Sequence, residues 1–242
     1  MGDVELAAAW LVERFPDGIE ERDAGGLSEL AVFTDETGES AVRAAFADVS
    51  SAPVLPGWED RWKEFHRPVR AGGLWIGPPW IAAPPDEAVV VVDPGRAFGT
   101  GAHPTTRACI ELLGRIERGS VLDAGCGSGV VSVAAARLGF APVVAVDLDE
   151  VAVEVATETA RRNDVVVDVF RADVLSAELP AVDIVVANIE LRIVEQLLGR
   201  SVAGVAVTSG YLESELPTAS GWTRSDRLEL EGWAADDFAM RH

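Results

Sequence analysis

VLDAGCGSGVVSVAAARLG (121–139), followed by APVVAVD (141–147), is the stretch that decides the fold. VLDA reads as a short β-strand, after which Gly125, Gly127 and Gly129 alternate with Cys126 and Ser128. Glycines at alternate positions let the backbone turn sharply and approach a ligand with no Cβ in the way. The apolar run at 128–138 has the length of a helix, and PVVAVD (142–147) reads as the next strand. Strand, glycine loop, helix and strand make one βαβ unit. Such a unit implies a parallel sheet covered by helices, with ligands bound beyond the carboxyl ends of its strands.

The alternation continues on both sides. Strands are expected at 88–92, 165–170, 182–188 and 202–209, and helices at 104–116, 149–162 and 190–199. The strands are apolar almost throughout, as burial on both faces requires. Two further strands are expected near 226–230 and 234–240. Arg67–Glu87 (RPVRAGGLWIGPPWIAAPPDE) is dense in Pro and Gly and reads as a linker. Ahead of it, a helix is expected over Val4–Arg14, a strand over Leu30–Thr34 and a helix over Ser40–Ala47 with Ser40 as its N-cap. The expected organisation is therefore a small α+β domain at 1–65, a linker at 66–87, and at 88–242 an α/β domain with a doubly wound, mainly parallel sheet.

The strand-end residues indicate the kind of ligand. A dinucleotide fold would place a third glycine at position 130, which is Val130. Asp123, just ahead of the loop, suits a cationic, phosphate-free ligand better than a pyrophosphate. S-adenosylmethionine, which carries a sulfonium and an ammonium, is such a ligand. Asp147, ending the next strand, can accept both ribose hydroxyls, and Asp149 reads as the N-cap of the following helix. Asn188, ending VDIVVAN, can offer its amide oxygen to an incoming nucleophile or cap the helix from 190. In DPGRAFGTGAHPTTR (93–107) a second glycine turn precedes a helix with Pro104 in its first turn, where Thr105 or Thr106 can present a hydroxyl. His103 reads as a local hydrogen-bonding residue more readily than as a catalytic one.

Charge restricts the partners. The 242 residues hold 40 acidic and 20 basic side chains, a net −20, which argues against a broad phosphate-gripping surface and hence against direct nucleic-acid binding. Residues 1–65 hold fifteen acids and five bases, either to keep a small domain in solution or to steer a basic protein partner. Cys109 and Cys126 lack metal-ligand spacing and read as reduced thiols, so no metal is expected. MGDVELAAAW lacks the basic n-region of a signal peptide, and no apolar run approaches the roughly 20 residues of a membrane span. A cytoplasmic protein with no membrane partner is expected.

FGTGAHPTTRACIELL (98–113), VLDAGCGSGVVSVAAARLG (121–139), VDLDEVAVEVATETARRN (146–163) and DIVVANI (183–189) together resemble the ribosomal protein L11 methyltransferases. WEDRWKEFHRPVRAGGLWIGPPW (58–80) is similar to the family's inter-domain junction, and SGYLESE (209–215) to its late strand and helix. The resemblance implies a Rossmann-like class I methyltransferase domain preceded by a small domain that recognises the protein substrate. It implies transfer of methyl groups from S-adenosylmethionine to amino groups of ribosomal protein L11, by an enzyme expected to be monomeric. Carried over by position, Thr106, Asp123, Gly125, Gly127, Gly129, Asp147 and Asn188 are the implied cofactor-binding residues. Asn188 would also stand near the methyl acceptor, with Phe98 lining that site. The chain departs from the family pattern at Glu190, Leu191 and Arg192, where substrate is chosen, so the same chemistry on another protein or a small amine is the alternative reading. A protein that holds the cofactor without turning it over is the remaining alternative.

Overall fold

The computed structural model describes residues 7, 10, 11, 14, 15, 20–23, 28–32, 34–52, 66–93, 99–200 and 203–241. They fall into two compact units, Met1–Glu59 and Asp60–His242.

In the smaller unit β1 (Glu20–Asp23) and β2 (Ser28–Ala31) pair antiparallel, with Glu20 opposite Ala31, and α1 spans Glu36–Ala45. The N-cap is Asp35, not Ser40: its carboxylate accepts from the N–H of Thr37 at 3.0 Å and of Gly38 at 2.9 Å. Those two bonds satisfy orphan donors of the first turn, while Ser40 lies inside the helix. Gly38 disguises the start, because a glycine two residues into a helix reads as a break. The strand expected at 30–34 is found at Ser28–Ala31, displaced by its pairing with β1. Ala7, Trp10, Leu11 and Arg14 of the expected first helix are helical, and the rest of 4–14 lies outside the described residues.

The larger unit runs β3 (Val69–Ala71), β4 (Leu74–Gly77), β5 (Ala88–Val91), α2 (Pro104–Arg115), β6 (Val121–Ala124), α3 (Val130–Arg137), β7 (Val143–Asp147), α4 (Glu150–Arg162), β8 (Asp168–Arg171), β9 (Val182–Asn188), α5 (Leu191–Leu198), β10 (Ala203–Leu212), β11 (Trp222–Leu230) and β12 (Trp233–Met240). Seven strands form one sheet in the order β11-β12-β10-β9-β6-β7-β8. The five from β10 to β8 are parallel, and β12 and β11 add antiparallel at one edge. The α/β, doubly wound, mainly parallel architecture is therefore the expected one. β8 starts three residues later than expected, since the Val165 N–H bonds the Ala160 carbonyl where α4 ends, at 3.2 Å.

Apolar strands are explained by two cores. Val121, Ile184, Val186 and Val207 face one side, with Cys109, Leu112 and Leu113 of α2 and Val133 and Ala134 of α3. Leu122, Ala124, Val185, Ala187 and Ala206 face the other, with Val194, Leu197 and Leu198 of α5. Side chains alternate between faces along a strand, so a strand covered on both sides is apolar at most positions, and the buried Asp123 and Asp236 are held by hydrogen bonds.

Strands β3 and β4 arise inside Arg67–Glu87, where composition suggested a linker. Gly72 and Gly73 turn the hairpin with φ of 58° and 80°. A Cβ on Gly72 would sit 2.6 Å from the Ile110 carbonyl oxygen, so its absence lets α2 pack against the turn. β5 is tied down by Asn163, 3 % exposed, whose amide accepts from the Val91 N–H and donates to the Val91 carbonyl, both at 2.7 Å.

Candidate active site at the sheet switch point

β6 leads to β7 and β8 on one side of the sheet, and the chain then returns to β9 on the other side of β6. That reversal opens a crevice beyond the ends of β6 and β9, where doubly wound folds bind ligands. The glycine loop sits there. Gly125, Gly127 and Gly129 have φ of 80°, 52° and 76°, a left-handed backbone that other residues adopt at a cost. A Cβ on Gly125 would lie 2.5 Å from Cγ2 of Ile189, and one on Gly129 would lie 2.9 Å from the Cα of Ala156. The loop is thus pressed between the end of β9 and helix α4.

Asp147 ends β7 beside it. One carboxylate oxygen accepts from the Gly127 N–H at 2.9 Å and the other from the Asp149 N–H at 3.0 Å. Two of roughly four lone-pair sites are thereby engaged, and the rest point away from these bonds. Asp149 caps α4 as expected, accepting from the Val151 N–H at 2.9 Å. Asp123 is placed differently. It is 2 % exposed beneath the loop and accepts from the hydroxyl of Ser132, one turn into α3. Burial first, and the nearby charge of Asp147, push its carboxyl up to about 6, against the hydrogen bonds from Ser132.

Asn188, ending β9, and Thr106, in the first turn of α2, are brought together. The Asn188 amide donates to the Thr106 hydroxyl at 3.3 Å, and Thr106 is 2 % exposed. Helix α5 takes Glu190 as its N-cap residue, without a side-chain bond, so Asn188 is not the cap. Thr105 serves locally instead: its hydroxyl lies 2.8 Å from Nδ1 of His103, the N-cap of α2. Pro104 stands in the first turn. Phe98 lies outside the described residues. Glu190 is exposed and, with Leu191, Arg192, Glu195, Gly210 and Glu215, lines an open depression beside the end of β9.

Several supporting residues escaped the sequence reading. Ser128, 1 % exposed, donates to the Gly99 carbonyl at 2.5 Å, joining the two glycine turns. Gly210 has φ of 103° at a bulge in β10, and a Cβ there would meet the Ile189 carbonyl oxygen at 2.1 Å. A glycine at that place in a strand was the available signal. The Ala172 N–H donates to the Asp147 carbonyl at 2.9 Å, so the turn after β8 also abuts the site. Cys109 and Cys126 are buried free thiols whose titration burial pushes up.

A glycine loop after the central strand, a carboxylate ending the next strand and an amide ending the strand across the switch point define a Rossmann-like class I methyltransferase fold. A ribosomal protein L11 methylase from Lactobacillus delbrueckii subsp. bulgaricus matches at a TM-score of 0.65 with 26 % identity, over 70 % of this chain and 96 % of that one. The family model for ribosomal protein L11 methyltransferase matches residues 36–235. Curated relatives carrying that name include one from Pelobacter propionicus, 41 % identical over 87 % of this chain and 73 % of its own length. Another, from Dictyoglomus thermophilum, is 39 % identical over 73 % of this chain and 64 % of its own length. This chain belongs to the ribosomal protein L11 methyltransferase family. It spans under two thirds of the Dictyoglomus relative.

Proposed function

We propose that this chain transfers methyl groups from S-adenosylmethionine to amino groups of ribosomal protein L11. The observation that carries the reading is the meeting of Asn188 and Thr106 at 3.3 Å at the end of β9, with the glycine loop and Asp147 following the neighbouring strands β6 and β7. The residues suit that methyl donor. Asp147 retains acceptor capacity for ribose hydroxyls, and the positive-φ glycines leave no Cβ between the loop and a nucleoside. Asp123 places negative charge beneath a site that receives a cation. Gly125, Gly127, Gly129, Thr106, Asp147 and Asn188 are the residues assigned to hold it.

When bound, S-adenosylmethionine would supply an electrophilic methyl group: the lone pair of an uncharged amine forms the N–C bond as the C–S bond breaks, the neutral thioether leaves, and the methylated ammonium releases its proton to water. The protein's part is alignment, which contributes roughly 7–11 kcal/mol in well-oriented reactions. Asn188 orients the acceptor amine through its amide oxygen while its N–H₂ stays on Thr106. Phe98 is assigned to the acceptor wall. Presenting a lysine as a neutral amine at pH 7 costs about 4.6 kcal/mol, and an α-amine about 1.4 kcal/mol, from their reference pKa values. Water exclusion in the crevice and the positive charge already bound there both lower that cost.

The smaller unit, with its acidic excess, is assigned to recognising the basic substrate. Among the described residues no helix is long and apolar enough to cross a membrane. We place the enzyme in the cytoplasm, acting as a monomer and without direct nucleic-acid contact. The test incubates the protein with methyl-labelled S-adenosylmethionine and unmethylated ribosomal proteins, then locates the label by mass spectrometry. Label on L11 that is lost in Asp147→Ala supports the proposal. Label on a different protein moves the acceptor, and the Glu190–Arg192 departure is then the first place to look. Binding without transfer to any acceptor refutes it.

A further inference from the structure

We infer that the β11–β12 hairpin tip is a positioning element of the active site, with Trp233 and Glu231 fixing the first turn of α2 and so the Thr106 hydroxyl against Asn188. This rests on the methyl-donor reading of that crevice. The tip is a two-residue turn with φ of 53° at Glu231 and 84° at Gly232, a mirror-image geometry matched to the twist of its strands. Trp233 opens β12 and pairs with Leu212 of β10, so the tip is anchored to the main sheet.

From that anchor two side chains reach α2. The Trp233 ring meets the His103 ring edge-on, with centroids 5.0 Å apart. His103 is the N-cap and holds Thr105, the neighbour of Thr106. Burial, then the Arg107 charge, holds the imidazole below its ordinary value against the pull of Glu231, so it stays an uncharged acceptor for that turn at neutral pH. Glu231 bonds Nη2 of Arg107 at 2.5 Å, and Arg107 follows Thr106 directly. The Arg107 Nε is buried with no hydrogen-bond partner among the described residues, which leaves Glu231 as the counter-charge that sets the side chain. At the other end of α2, Arg115 pairs with Asp226 of β11 at 3.0 Å. The hairpin therefore grips the helix at both ends, and the grip nearer the crevice flanks Thr106 on both sides, through residues 103 and 107.

Neither Trp233 nor Glu231 is assigned contact with the reacting atoms, so their loss should appear in affinity and alignment. The test measures S-adenosylmethionine binding by calorimetry on the full chain. Trp233→Ala should weaken binding about tenfold at unchanged stoichiometry, the upper range for an edge-to-face pair, and Trp233→Phe should come within about twofold of the parent. A merely structural role would instead lower the binding-competent fraction and leave the affinity of that fraction unaltered. Glu231→Arg should weaken binding about fivefold, and adding Arg107→Glu should restore most of it, as coupled charges in contact do. If Trp233→Ala fails to fold, this charge exchange decides. Unchanged affinity in Trp233→Ala, or no rescue by the exchange, overturns the positioning role while leaving the methyl-donor reading intact. A parent chain that binds no S-adenosylmethionine overturns both.

Discussion

Asp123→Asn is the sharpest perturbation the site offers, because the charge it removes is buried and its environment is known. The carboxyl is 2 % exposed, and burial pushes it from an ordinary 3.8 up to about 6. Between those values the folded protein binds a proton that the unfolded chain has released. Stability from this group is therefore present in acid and declines as pH rises, by about 3 kcal/mol in all at roughly 1.36 kcal/mol per pH unit. With the sequence pI near 4.4, the lower part of that window is unsuited to measurement. Between pH 5 and pH 7.5 about 1.4 kcal/mol of the change remains by the same linkage. Asn keeps an amide oxygen for the Ser132 hydroxyl and has no charge to desolvate, so the variant lacks this component. Urea unfolding followed by tryptophan fluorescence at several pH values measures it. Taking variant minus parent cancels the opposing carboxylates, such as Asp173 and Asp183, whose hydrogen bonds hold them low. The difference should grow in the variant's favour by about 1.4 kcal/mol from pH 5 to 7.5. A flat difference would show that Asp123 titrates like an exposed acid and that no buried charge underlies the loop. The same protonation should weaken binding of a cationic nucleoside as pH falls through about 6 in the parent and not in the variant.

Further outcomes follow from the same geometry. Asp147→Ala should lower S-adenosylmethionine affinity by about tenfold to a hundredfold, the range for losing hydrogen bonds to a charged group, read by calorimetry. Asn188→Ala should cut kcat of the labelled-methyl assay about a hundredfold, as for other lost alignment donors and acceptors, with a smaller effect on cofactor affinity. Gly129→Ala, at φ of 76° and with its Cβ 2.9 Å from the Ala156 Cα, should cost about 2–3 kcal/mol and lower the melting temperature by roughly 5–10 °C. Asp236→Asn should destabilise by about 3 kcal/mol or more in urea, since Asp236 is fully buried and accepts from Arg227 at 3.0 Å and from the Tyr211 hydroxyl at 2.9 Å.

What could be read from the sequence was what is local in the chain. The strands of the parallel sheet announced themselves because both faces are covered, leaving no polar alternation to confuse them with exposed strands. The loop at 125–129 was legible because a left-handed backbone demands glycine, and Asp149 because a cap acts within two residues of itself. Two local signals misled. Asp35 lost to Ser40 because Gly38 interrupts the helical texture, and the glycines of 67–87 looked like a flexible connection when Gly72 is there for contact with α2.

The site was legible as a set of residue types and not as an arrangement. Asn188 had two readings, acceptor or cap, and spacing could not separate them. Its partner Thr106 stands 82 positions away, and what removes the cap reading is the register that sets Asn188 opposite Ser209 while α5 starts past Glu190. The hairpin grip lies further from view, for Glu231 and Arg107 are 124 positions apart and each looks like an ordinary surface charge. Their meeting depends on β12 entering between β10 and β11, a choice made at the antiparallel edge of the sheet. Cofactor chemistry concentrates where one strand, one turn and one helix suffice, and it leaves a signature in a dozen residues. On the proposed reading, alignment of the acceptor would depend on elements far apart in the chain, which leave no motif. A family match is therefore firmest for the cofactor loop and least informative at Glu190–Arg192, and substitutions there should divide relatives by acceptor while leaving affinity for the methyl donor common to them all.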